Sequence, residues 1–110
     1  IASKLEVLAR YNFALCAENE AIDGYITEKV VDCLLAGTIP IYWGARDLEK
    51  RIPADCFIRI KDVTPDVILS LIKSPASKML NYRLSIQEFV NNRLKTRFPN
   101  SYEAVVGAYE

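Results

Sequence analysis

The sequence predicts an α/β fold: a three-layer, Rossmann-like parallel sheet with flanking helices. Three observations carry that expectation. Short apolar runs and amphipathic helical segments alternate along the chain in the order α-β-α-β-α-β-α, the pattern of a parallel sheet with right-handed crossovers. The run in "NFALCAEN" (12–19) is continuous rather than alternating, which suits a strand covered on both faces. The 110 residues contain no repeat, linker or low-complexity tract, so 1–110 reads as one domain segment, large enough for a single core.

Each element has local signals. Ser3 can cap a short helix over 3–10, with Leu5, Leu8 and Ala9 on one side. The first strand, 12–18, stops abruptly at Glu18 and Asn19, and residues 20–26 form a loop containing Gly24. Thr27 caps a helix from Glu28 to about Ala36, with Val30, Val31, Leu34 and Leu35 inward. Ile26 and Val31 stand at hydrophobic-staple positions, and Gly37 at the left-handed position that ends a helix. "TIPIYW" (38–43) is a second strand, in which Pro40 removes a ladder donor and so favours an edge or a bulge. Residues 46–52 form a short helix and "CFIRI" (56–60) a third strand. Thr64 caps, and Pro65 opens, a helix to about Lys73. A last helix over 77–97 carries Met79, Tyr82, Ile86, Phe89, Val90 and Leu94 at three- and four-residue steps, a stripe that reads as core packing.

Composition excludes several functions. Lys+Arg and Asp+Glu both total 14, giving zero formal charge. A nucleic-acid or membrane-surface footprint needs a basic excess that this chain lacks. With no histidine, histidine base catalysis and histidine metal sites are excluded within the chain. Cys16, Cys33 and Cys56 are far apart, each followed by an apolar residue and without a CxxC pair, so they read as buried free thiols rather than a disulfide or zinc set. There is no N-x-S/T site, no signal-peptide pattern, and no apolar stretch near the roughly 20 residues of a membrane span. A reducing, cytoplasmic setting is the expectation.

In sheets of this kind ligands bind beyond the carboxyl ends of the strands. This chain puts Glu18 and Asn19 after the first strand, Tyr42, Trp43, Gly44 and Arg46 at the second, and Lys61 and Asp62 after the third. The loop with Asp23, Gly24 and Tyr25 delivers the helix start Thr27-Glu28-Lys29. Lys29 is the odd member, because a cation in the first turn faces the positive end of the helix dipole. Either Glu28 neutralises it in water, or an anion at this helix start engages both the N–H groups and the lysine. Acids, an aromatic face and a cationic helix start at one rim fit a nucleotide or nucleotide-sugar diphosphate. Neither a G-x-G-x-x-G nor a G-x-x-x-x-G-K-[ST] motif is present. Bland alternatives stay open: Glu18 as a loop acid capping the helix, Tyr25 as packing, Trp43 as a half-buried strand end.

The stretch "YNFALCAENEAIDGYITEKVVDCLLAGTIPIYWGARDLEKRIPADCFIRI" (11–60) resembles the donor-binding region of the α1,3-fucosyltransferase family. The likeness lies in F-A-L-C-A-E-N, Y-I-T-E-K-V, L-A-G-T-I-P-I-Y-W-G and I-P-A-D-C-F-I, in order over fifty consecutive positions. It implies the C-terminal part of a two-domain GT-B enzyme, which moves fucose from GDP-fucose to a hydroxyl of an N-acetylglucosamine-containing acceptor glycan with inversion. It further implies that Glu18, Asn19, Tyr25, Thr27, Glu28 and Lys29 line the donor site. Glu28 would address the ribose, Lys29 the leaving diphosphate, and Asn19 and Tyr25 the nucleotide and fucose portions. No tightly held metal or other cofactor is implied. The N-terminal acceptor domain with the general base, and an upstream diphosphate-binding arginine, fall outside these residues, so the segment alone is expected to be inactive. The "IPIYWG" version, few cysteines and absent glycosylation sites look like bacterial members, which decorate lipopolysaccharide in the cytosol. A second reading is a non-catalytic nucleotide-sugar binding module; a third is an α/β interaction domain without ligand.

Overall fold

The structure, a computed structural model, describes residues 3–94. The elements are α1 (Lys4–Leu8), β1 (Phe13–Ala17), α2 (Glu28–Ala36), β2 (Ile39–Trp43), β3 (Ile58–Arg59), α3 (Pro65–Ile72) and α4 (Ala76–Phe89). The sheet is parallel in the order β1-β2-β3, so the expected α/β architecture is present. Register runs from Phe13 opposite Ile39 to Ala17 opposite Trp43, and then Ile41 opposite Ile58.

Caps and turns follow the sequence signals closely. Ser3 and Glu6 exchange hydrogen bonds in a capping box on α1. Thr27 and Thr64 cap α2 and α3, and Gly37 ends α2 at φ +76°, in the left-handed region that only glycine enters without strain. Between β2 and β3, however, the chain makes two 3₁₀ turns, Leu48–Lys50 and Ala54–Cys56, in place of the short helix over 46–52. Leu48, Ile52 and Cys56 are each fully buried, and between the two turns Pro53 is extended (φ −56°, ψ 143°), where a proline without an N–H breaks helical continuation. The second turn also shortens the third strand from 56–60 to two residues.

Pro40 corrects another expectation. It lies in the central strand, without a bulge, rather than at an edge. The hydrogen bonds Ile39 N–H to Asn12 C=O and Ile60 N–H to Tyr42 C=O show that odd residues of β2 face β1 and even residues face β3. Position 40 therefore turns its donor-less nitrogen toward β3, whose pairing begins only opposite Ile41. No ladder bond is lost, which is why proline is tolerated there.

The core gathers Val30, Val31, Cys33 and Leu34 of α2, Cys16, Ile39 and Tyr42 of the sheet, Leu48, Ile52, Cys56 and Phe57, and Ile86 and Phe89 of α4. Full burial of a side chain such as Leu34 contributes about 1.5–3 kcal/mol. The α4 stripe packs as predicted through Met79, Tyr82, Ile86, Phe89 and Val90. The helix passes into a π turn at Val90–Leu94; the Leu94 side chain and residues 95–97 of the predicted helix lie outside the described residues. α1 is tied down by the Lys4–Asp32 ion pair (2.6 Å) and by the Thr38 hydroxyl donating to the Leu8 carbonyl (2.6 Å).

β1 is not covered on both faces. Cys16 is buried on the face that packs on α2, but Leu15, which points to the opposite face, is 47 % exposed, so among the described residues no layer covers that face there. Leu80 and Leu84 on α4 and Leu69 and Ile72 on α3 are also about half exposed. Among the described residues no helix is long and apolar enough to cross a membrane.

Candidate functional site

The carboxyl ends of the three strands open onto one shallow cleft of about 500 Å³, lined by Ala17, Glu18, Trp43, Lys61, Asp62 and Val63. The loop before α2 brings its N-terminus to the Ala17 end of this rim. Other clefts lie elsewhere, between Pro53–Asp55 and α4 and between the C-terminal end of α2 and α4.

Three of the expected site residues are directly connected. Glu18 extends the β1 ladder by donating its N–H to the Trp43 carbonyl (2.9 Å), and its side chain is buried. One carboxylate oxygen accepts from the Thr27 N–H and the other from the Thr27 hydroxyl, both at 2.7 Å. The same hydroxyl oxygen accepts the Lys29 N–H at 3.4 Å, so Thr27 caps α2 while Glu18 orients Thr27. Burial of Glu18 is made tolerable by these two bonds. Glu18 is thus a positioning group here, close to the capping alternative that its loop position allows.

Lys29 turns back across the strand end. Its Nζ donates to the Ala17 carbonyl at 3.2 Å, which gives the cation a partial negative partner and eases its conflict with the helix dipole. An ammonium has three donors, so two remain for an anion. Beside it lie first-turn N–H groups of α2 that have no intrahelical acceptor.

The remaining expected residues, Asn19, Tyr25 and Glu28, are exposed and, among the described residues, make no side-chain hydrogen bond to the Glu18–Thr27–Lys29 group. Glu28 lies near enough to Lys4 to help raise that lysine's pKa, behind the larger effect of its hydrogen bond to Asp32. Tyr25 stands on a turn closed by its own N–H to the Ile22 carbonyl (3.0 Å), with Gly24 at φ +81°. The Gly24 N–H in turn donates to the Asp47 carboxylate at 2.8 Å, which holds Asp47 below its ordinary range. This link fastens the loop carrying Tyr25 to the segment after β2.

That segment is fixed from below. Arg59 forks onto Glu49 at 2.6 and 2.8 Å, donates to the Ala45 carbonyl at 2.9 Å, and lies over the Tyr42 and Phe57 rings. Its hydrogen bonds hold the Glu49 carboxyl below the usual value. Gly44 permits the close approach of these parts: a Cβ there would sit 2.5 Å from Glu18 Cγ and 2.7 Å from the Tyr42 hydroxyl. The Tyr42 hydroxyl accepts the Ala45 N–H (3.1 Å), and burial pushes its pKa up. Trp43 is half-buried and donates its indole N–H to the Lys61 carbonyl (3.1 Å), setting one wall of the cleft.

Nothing local in the sequence marks the Gly24–Asp47 link, since its partners are 23 residues apart. Gly44 directly after a strand is the one available hint of a close contact. Among the described residues no group of three or more His, Cys, Asp or Glu side chains could hold a metal ion. A cation, the first turn of a helix and an indole wall at one rim can bind an anion attached to a ring system.

Comparison with known proteins supplies the family context. A family profile described as "Glycosyltransferase family 10 (fucosyltransferase) C-term" matches residues 2–84. The chain is 40 % identical over 62 residues to an alpha-(1,3)-fucosyltransferase of Helicobacter pylori, covering 56 % of this chain and 13 % of that protein. It is 33 % identical over 107 residues to a putative fucosyltransferase-like protein of Arabidopsis thaliana, covering 94 % of this chain and 20 % of the relative. Its fold superposes on the crystal structure of an α1,3-fucosyltransferase with GDP-fucose at a TM-score of 0.65 and 32 % identity, over 76 % of this chain and 26 % of that one. The chain therefore spans about a fifth or less of these curated relatives.

Proposed function

Because this chain belongs to glycosyltransferase family 10, the fucosyltransferases, we propose that it forms the GDP-fucose-binding part of an enzyme that transfers fucose to an acceptor glycan. The observation that carries the reading is Lys29, anchored through one donor to Ala17 at the rim where α2 begins. The solved relative with GDP-fucose supports the choice of donor.

In this reading the diphosphate lies against the first turn of α2 and takes the free donors of Lys29. Glu18 holds Thr27, Thr27 holds the turn, and the Asp47 latch on Gly24 holds the loop that presents Tyr25. Asn19 and Tyr25 flank the nucleotide and fucose, and Glu28 takes the ribose. As the bond to fucose breaks, charge gathers on the departing GDP. A preorganised ammonium and N–H cluster then binds the transition state more strongly than the ground state. This role requires no metal or other cofactor. The general base and the acceptor site belong to parts outside these residues. The H. pylori relative and the "IPIYWG" strand favour a bacterial-type, cytoplasmic enzyme acting on a lipopolysaccharide glycan containing N-acetylglucosamine.

The test is calorimetric titration of the full-length protein with GDP and, in parallel, UDP, followed by a transfer assay with GDP-fucose. GDP binding with fucose transfer is expected. GDP binding without transfer to any glycan would favour the non-catalytic module, and no GDP binding would reject both.

A further inference from the structure

We propose that Cys16 and Cys33 form an oxidisable dithiol, a modification site at which a peroxide converts two buried thiols into a disulfide joining β1 to α2. The two sulfurs lie 3.1 Å apart, and each residue is only 2 % exposed. A disulfide bond measures about 2.05 Å, so closure requires about 1 Å of travel. The pair sits on two regular elements packed into one core, so its proximity is a property of the fold rather than of a loop.

The surroundings assign the roles. Cys16 has further acceptors in the Lys29 and Ala14 carbonyls, at 3.7 and 3.8 Å, and its hydrogen bond with Cys33 holds its proton in place, raising its pKa. The same bond lowers the pKa of Cys33, which makes Cys33 the attacking sulfur. Its thiolate attacks one peroxide oxygen, breaking the O–O bond; the departing hydroxide takes up a proton and leaves as water, and a sulfenic acid remains on Cys33. The Cys16 sulfur then displaces the sulfenic hydroxyl, which leaves as a second water with the Cys16 proton. Two thiols give up two electrons and two protons, and one peroxide becomes two waters.

Cys56 is the internal control. Its sulfur meets the Ser85 carbonyl at 3.5 Å and the Asp55 carboxylate at 3.8 Å, and no second thiol is in contact. Burial pushes its thiol up to about 12. The ring closed by the new bond, residues 16–33, encloses every residue proposed to bind the donor, although the chemistry does not depend on that proposal.

The test uses the folded, fully reduced full-length protein treated with hydrogen peroxide, blocked with N-ethylmaleimide in denaturant and digested with trypsin without reduction. Cleavage after Arg10, Lys29 and Arg46 puts Cys16 on peptide 11–29 and Cys33 on peptide 30–46. The expected product is these two peptides joined, lighter by about 2 Da than their sum and separated again by dithiothreitol. It should be absent from Cys33→Ser and Cys16→Ala proteins. Both peptides recovered with maleimide on cysteine, sulfinic acid on Cys33 alone, or a cross-link through Cys56 would overturn the proposal. The wild-type digest decides this even if a variant fails to fold.

Discussion

Replacing Lys29 by alanine separates its electrostatic role from its structural one. The wild-type Nζ makes one bond at 3.2 Å, to the half-buried Ala17 carbonyl, and its loss costs about 1 kcal/mol of stability. Removing a cation from the positive end of a helix returns about 0.3–1 kcal/mol. Thr27 still caps α2 through its hydroxyl, so the net change in stability is expected to stay within about 1 kcal/mol. Two donors of the ammonium are available to a diphosphate, and a hydrogen bond to a charged group contributes about 1.5–3 kcal/mol. GDP affinity should therefore fall roughly 10- to 150-fold. Lys29→Met, which keeps the aliphatic stem, should show the same loss. Calorimetry with GDP and a thermal melt on the full-length protein measure both quantities. In transfer assays the loss in kcat should exceed the loss in affinity, because the leaving diphosphate gains charge as the bond breaks. A folded Lys29→Ala protein that binds GDP within about two-fold of wild type would refute the reasoning and leave Lys29 as a strand-end tether.

Glu18→Gln offers one oxygen where Thr27 presents two donors, so it should lower stability by about 1–3 kcal/mol in urea titration; combined with Thr27→Val its effect should be clearly less than additive. Gly44→Ala drives a methyl group to within 2.5 Å of Glu18 Cγ and should destabilise by about 1–3 kcal/mol, read as a lower thermal midpoint. The Glu49–Arg59 pair gives a pH signature. Arg59 depresses the folded-state pKa of Glu49 below its ordinary 4.5, so the pair's contribution is complete above that value and disappears as pH falls through the depressed pKa. The difference in urea midpoint between wild type and Glu49→Gln should therefore be constant near neutrality and shrink in acid; a difference that grows on acidification would contradict the assignment.

Local signals in the sequence determined what local physics controls. The caps at Ser3, Thr27 and Thr64 and the left-handed Gly37 rest on interactions within a few residues, and all are present; the periodicity of α4 also marked its core face from Met79 to Val90. The apolar runs likewise located the strands, since burial on a parallel sheet needs unbroken hydrophobicity more than any particular partner. Even the strangeness of Lys29 was visible, because the helix dipole follows from the helix alone. Tertiary structure decided the rest. Pro40 could enter the central strand only because β3 begins one residue beyond it, and the predicted helix over 46–52 is reduced to a 3₁₀ turn at Leu48–Lys50, with Leu48 and Ile52 buried in a core built from distant segments. Glu18 and Thr27 are nine residues apart, Gly24 and Asp47 twenty-three, Cys16 and Cys33 seventeen. Each of those contacts forms only after loops have closed, so no short-range pattern encodes it, and the packing of the whole sheet selects which side chains meet.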